Sequence, residues 1–258
     1  MNKKLLMLIM MLLLLVNSTA CSDNSSGESV TPVPDDSADQ LPEAIQEWIS
    51  YSEELFLAQA RPLEDSTYIL ITYGEKPTGG FAVDITDIEI NNDNLKVFVE
   101  FTNPGEDELV TEALTYPYDL MFIEGNTFTS IEYIATDDET FIPTLYGIDF
   151  LKPISAGSEW IKIFQPEPRE KVSLTIDVEG IANVFEGNVQ YHLTTDSGLV
   201  LAEGFTTGAM GDWGFFSFSI DLPADTISGT DLVLQLYTHS PKDGSIQDMV
   251  ELPLKLEN

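Results

Sequence analysis

Val172-Ser173-Leu174-Thr175-Ile176-Asp177-Val178 alternates an apolar with a polar side chain at every step. That is the period of a half-buried β-strand, whose successive side chains point to opposite faces. Toward the C-terminus the same rhythm returns in Val189/Tyr191/Leu193, 199–205, Phe216/Phe218/Ile220, 232–237 and 249–254. The breaks between these runs carry turn chemistry, as in Asp196-Ser197-Gly198 and Lys242-Asp243-Gly244-Ser245, where short polar side chains and glycine favour reversal of the chain. With 160–164 added, residues 159–258 hold about seven strands in roughly 100 residues, the count of an immunoglobulin-like β-sandwich. The chain has one cysteine, so packing alone must hold such a sandwich.

Toward the N-terminus a second β pattern occupies 66–150. Phe81, Val83 and Ile85 alternate, as do Leu95, Val97, Val99 and Phe101, and a slip of one residue between Ile85 and Ile88 predicts a bulge. The stretch 144–158, with Pro153 and two glycines, is the expected boundary between the units. Before them, 41–60 reads as one amphipathic helix over about 42–59, with Leu41, Ile45, Trp48, Ile49, Leu55 and Phe56 largely on one face. Its polar face is acidic, which favours packing against the next domain over lying on lipid. Residues 21–40 are rich in Ser, Asp and Pro and poor in large apolar side chains, the composition of a disordered acidic stalk. The expected fold class is thus mainly β: two β-sandwich-like domains behind a stalk and one helix.

Residues 1–20 have a different character. Lys3 and Lys4 precede an unbroken apolar run over 5–16, then Ser18-Thr19-Ala20 leads into Cys21. The run is too short to span a bilayer, which needs about 20 apolar residues, and fits a cleaved export signal. Ser18-Thr19-Ala20-Cys21 resembles the lipobox of bacterial lipoproteins, with Ser18 where an aliphatic residue is usual; plain cleavage after Ala20 is the alternative. The expectation is a protein lipidated on Cys21 and tethered to the extracellular face of the cell membrane by acyl chains.

The charge balance, 44 acidic against 11 basic side chains for a net −33, excludes nucleic acid as a partner, because phosphates demand a basic face. It also opposes unaided binding to anionic lipid, leaving attachment to the anchor. Asp137-Asp138-Glu139 and Asn91-Asn92-Asp93-Asn94 are the densest candidates for calcium-binding loops. Neither follows EF-hand spacing, and solvated faces are the simpler reading.

Two segments carry family resemblances. Tyr73-Gly74-Glu75-Lys76-Pro77-Thr78-Gly79-Gly80-Phe81, followed by Val83-Asp84-Ile85 and Thr115-Tyr116-Pro117-Tyr118, resembles the C-terminal domain of the PrcB family, named for a subunit of a bacterial surface protease complex. Gly180-Ile181-Ala182-Asn183-Val184-Phe185-Glu186-Gly187, then Asp212-Trp213-Gly214 with Phe216, then Ser240-Pro241-Lys242-Asp243-Gly244-Ser245, is similar to the immunoglobulin-like domain of bacterial spore germination proteins. Pro241 stands where a small residue such as Ala is expected. Together these resemblances imply an envelope-associated lipoprotein built from recognition or scaffolding modules, with no catalytic constellation.

Enzyme motifs are missing from the sequence. There is no His-Glu-x-x-His for zinc and no Gly-x-Ser-x-Gly for a nucleophile elbow. The two histidines, His192 and His239, fall on separate predicted strands, His192 on a solvent face and His239 at a strand end. No catalytic residue, metal ligand or cofactor is therefore assigned. The partner-binding candidates are Lys76, Pro77, Thr78, Gly79, Gly80, Phe81 and Trp213. Pro77 fixes φ and Gly79-Gly80 permit positive φ, so turn chemistry alone explains the loop, while a rigid tip flanked by an aromatic would also make a wedge. Trp213 reads first as a hydrophobe covering the sheet, second as an exposed anchor, and Phe185 as core. The expected function is non-catalytic binding or assembly of an envelope protein such as a secreted protease complex. The alternative is a cell-wall glycan-binding or structural module linked to sporulation or germination, for which exposed aromatics, Trp213 and Tyr237 first, would be needed.

Overall fold

The computed structural model describes residues 30–32, 41–124, 128–136, 152–208 and 211–257. The expected export signal, Cys21, most of the expected stalk, Asp137-Asp138-Glu139 and most of the expected 144–158 boundary lie outside the described residues. The chain folds mainly as β, as expected.

The first unit is two facing sheets. One has the order β1 (Val30–Pro32), β6 (Tyr118–Glu124), β3 (Ser66–Tyr73), β2 (Phe56–Leu63); the other has β4 (Ala82–Asn91), β5 (Asn94–Thr102), β7 (Ser130–Ala135). Ile69, Ile71, Tyr73 and Ile123 of the first sheet meet Val83, Val97, Val99 and Phe101 of the second in one core. β4 and β5 form a hairpin whose turn includes Asn92 at φ 54°, so Asn91-Asn92-Asp93-Asn94 is a chain reversal. The pairing of β4 with β5 shifts register between Ile85 and Asp87, which is the bulge predicted from the slipped alternation. The stalk reading needs a correction at Val30–Pro32: its backbone pairs antiparallel with β6, Val30 opposite Ile123. A sheet edge offers unpaired backbone groups that an extended segment satisfies.

The helix is shorter than its sequence pattern suggested. α1 spans Glu43–Ser52, and Phe56–Leu63 is strand β2, paired along its length with β3 from Phe56 opposite Tyr73 to Leu63 opposite Ser66. Backbone pairing and burial on both faces override the helical period. The helix buries Ile45, Trp48 and Ile49, and does pack against the next domain. Its apolar face lies in a cluster that joins Leu57, Leu70 and Leu120 of the first unit to Phe164 and Ile181 of the second. Trp48 donates its indole N–H to Gln59 Oε1 at 2.8 Å, and the Gln59 amide donates to the Lys152 carbonyl, so this seam has no orphaned polar group at its centre.

The second unit is a sandwich of a five-stranded sheet, β10 (Lys171–Val172), β16 (Ile246–Leu256), β15 (Asp231–His239), β12 (Asn188–Thr195), β13 (Val200–Thr207), on a four-stranded sheet, β14 (Gly214–Asp221), β11 (Thr175–Ala182), β9 (Ile161–Gln165), β8 (Ala156–Gly157). The alternating run at 172–178 is two strands, not one. Val172 pairs parallel to Leu256 in the larger sheet, while Thr175 onward pairs with β14 and later also β9 in the smaller. At the crossing the Ser173 hydroxyl donates to the Thr175 carbonyl. Val172, Ile176 and Val178 nevertheless share one core, because a side chain facing inward between two sheets stays inward when its strand changes sheet. Gly180 sits where β11 shifts register against β9; a Cβ there would overlap the Lys162 carbonyl oxygen and stand 2.5 Å from the Phe216 ring.

Candidate functional site

The loop at 76–81 leaves β3 through Gly74, whose φ of 73° is open to glycine at little cost. Lys76 turns back on the molecule: its ammonium lies 3.4 Å from the centre of the Tyr73 ring, 5.7 Å from that of Phe56 and 5.6 Å from that of Phe81. These rings pack edge to face with Phe101 behind them. A cation held among three aromatic faces is an attractive arrangement in its own right, so Lys76 and Phe81 close the end of the sandwich.

The rest of the loop is strapped to the long β5–β6 connection. Lys76 and Thr115 exchange backbone hydrogen bonds at 2.9 and 3.0 Å. Gly79 N–H donates to the Thr111 carbonyl at 3.0 Å, and the Thr115 hydroxyl donates to the Thr78 carbonyl at 2.8 Å. A Cβ on Gly79 would overlap the Thr111 hydroxyl, and one on Gly80, at φ 86°, would stand 2.9 Å from both Pro104 and Val110. Pro77 and Gly80 are exposed at the tip, while Lys76, Thr78, Gly79 and Phe81 are half-buried.

Sequence reasoning missed the partner in this arrangement, the connection over 104–114. It carries Glu106, Asp107, Glu108 and Glu112 together with Leu109, which is wholly exposed, and Leu114, which is 59% exposed. A hydrogen bond from Gly105 N–H to the Glu108 carboxylate at 3.0 Å folds its acidic end. Beside the tip, Phe81, Asp84, Tyr116 and Asp119 line a groove of about 420 Å³. The only signal for this surface in the sequence was two leucines among acids with no strand or helix period, a pattern that no core explains.

Trp213 is placed elsewhere. It is half-buried against the cluster shared by the two units, with the Lys162 ammonium 5.8 Å from its ring, so it covers the seam and is not an exposed anchor. Tyr237, named with Trp213 as an aromatic that the glycan-binding alternative would need exposed, is only 5% exposed, its ring set between those of His192 and His239 at 5.3 Å each. Phe185, expected in the core, is 59% exposed, because it sits in a 3-10 turn, Phe185–Gly187, that reverses the chain between β11 and β12. His239 stands at a strand end as expected, its Nδ1 2.8 Å from the Gly244 carbonyl. Among the described residues no three His, Cys, Asp or Glu side chains group so as to hold a metal ion, and no helix is long and apolar enough to cross a membrane.

Comparison with known families divides the chain as the fold does. Residues 67–124 match the model of the PrcB C-terminal domain, and residues 160–245 match that of the immunoglobulin-like domain of bacterial spore germination. No curated protein and no solved structure matches the chain. The protein therefore combines a PrcB C-terminal domain with an immunoglobulin-like domain of the spore-germination type. These are module types associated with a surface protease complex and with germination.

Proposed function

We propose that this protein is a non-catalytic lipoprotein, anchored through Cys21 on the extracellular face of the cell membrane, that binds or assembles another envelope protein. A secreted protease complex is the partner class to which the name of the first module's family points. The observation that carries the reading is the tip of the first unit. Four carboxylates and two exposed leucines stand on a connection that the Lys76-Pro77-Thr78-Gly79-Gly80 loop pins at three points. Pinning matters because a loop already held in its binding shape loses less entropy on association. Exposed leucines ringed by acids fit an apolar pocket with a basic rim, where the charges steer the encounter and the leucines supply contact.

The test is capture from envelope extract by the full chain in mild detergent, against the Leu109→Ser/Leu114→Ser variant. Both leucines are exposed, so the variant should keep its thermal midpoint. The expected result is capture of a protease or protease-complex subunit by the native chain and its loss with the variant. Equal capture by both, or capture by neither, contradicts the proposal.

A further inference from the structure

We propose that the outer face of the five-stranded sheet in the second unit is a binding site for a neutral pyranose glycan. Val189 and Leu193 of β12 are fully buried in the core, so Asn188, Gln190 and His192 point the other way. Gln190 lies opposite Phe205 on one side and Tyr237 on the other; His192 lies opposite Glu203. Asn188, Gln190, His192, Glu203, Phe205 and Tyr237 line a groove of about 430 Å³, inside the range of roughly 300–1,000 Å³ typical of small-ligand sites.

The division of labour within the groove suits a sugar. A pyranose has a face of C–H groups and a rim of hydroxyls that both donate and accept. Phe205 is 68% exposed, a flat apolar ring in water whose stacking on a C–H face would remove area from solvent. Glu203 is two residues away on the same strand, about 7 Å along it, so hydroxyls of a ring stacked on Phe205 come within reach of its carboxylate. The amides of Asn188 and Gln190 offer donors and acceptors together. His192 is held in place from below, its Nε2 3.1 Å from the Tyr237 hydroxyl and 3.5 Å from Glu203. The exposed apolar part of the groove is the Phe205 ring, with the buried Tyr237 and polar groups around it, which suits one sugar face better than the broad contact of a protein interface. The net charge of −33 sets the ligand class, since it disfavours phosphate-bearing or uronic polymers and leaves neutral glycans.

The experiment is calorimetric titration of the full chain in detergent micelles with neutral tetrasaccharides of glucose, galactose, mannose and N-acetylglucosamine. At least one should bind saturably, and Phe205→Ala and Gln190→Ala should each weaken it about tenfold or more. Phe215→Ala, an exposed ring on the other sheet, should leave binding unchanged. Phe205 is exposed, so its variant should keep the native thermal midpoint; should it not, Gln190→Ala decides alone. Saturable binding by none of the four sugars overturns the proposal. So does binding that either variant leaves undiminished, which would put the sugar elsewhere.

Discussion

Lys162 is 3% exposed on β9 and carries its ammonium into the seam between the two units, 4.0 Å from Glu54 in the turn that follows α1. Burial pushes it below the usual lysine range, against the pull of Glu54, Asp248, Glu53 and Glu159. Between that lowered value and the ordinary 10.5, the unfolded chain holds a proton that the folded chain has released, so stability rises with pH across this window. Above about pH 10 the gain is opposed by Tyr51, Tyr68, Tyr133 and Tyr237, whose phenols burial pushes up. Urea denaturation at several pH values below 10 should show the native chain gaining on Lys162→Met as pH rises, and parallel curves would contradict this. Gly180→Ala is a separate test of packing at the register shift: overlap with the Lys162 carbonyl and the Phe216 ring should cost about 1–3 kcal/mol in the same assay. At this scale the sequence was readable where local chemistry sets the conformation, as in the Gly79-Gly80 turn. It was silent where distant residues meet, so the inward turn of Lys76 onto Phe56, Tyr73 and Phe81 could not be seen.

α1 and β2 show why elements differ in legibility. Ile45, Trp48 and Ile49 gave the helix through their spacing, but Leu55 and Phe56 fall on the same helical face by coincidence and extended the reading past Ser52. β2 hid because its buried positions include Gln59 and Arg61, polar residues that look like surface. Both are paired across the fold: Gln59 with Trp48 and Lys152, Arg61 with the Ala44 carbonyl at 3.1 Å and Glu167 at 3.5 Å. The bulge in β4 was legible because a one-residue slip flips which residues face the core. The 104–114 connection was not, since a loop's shape follows from what pins it. Trp48→Ala should cost about 3–5 kcal/mol, since it opens a cavity in the shared cluster and takes from Gln59 a hydrogen-bond donor. A loss below about 1 kcal/mol would mean that α1 does not hold this position.

The whole molecule is organised around the cluster in which α1 joins both sandwiches, and this contiguity of buried apolar residues predicts one cooperative thermal transition for the native chain. Its charge of −33 works against compactness through self-repulsion. Raising salt from about 0.05 to 0.5 M shortens the screening length below about 10 Å, so the thermal midpoint should rise with sodium chloride, and a flat or falling midpoint would contradict that. Under the two proposals, the same charge favours basic protein surfaces at the first unit's tip and neutral sugars at the second unit's sheet. The central claim is that the acidic, leucine-bearing tip touches another envelope protein in the cell. The most direct measurement replaces Leu109 with a photo-crosslinking amino acid in the full chain on living cells, with Ile227, an exposed residue of the second unit, replaced as the control. The account predicts one dominant crosslinked envelope protein from position 109 and none of it from position 227. No crosslink from 109, or the same products from both positions, would contradict it.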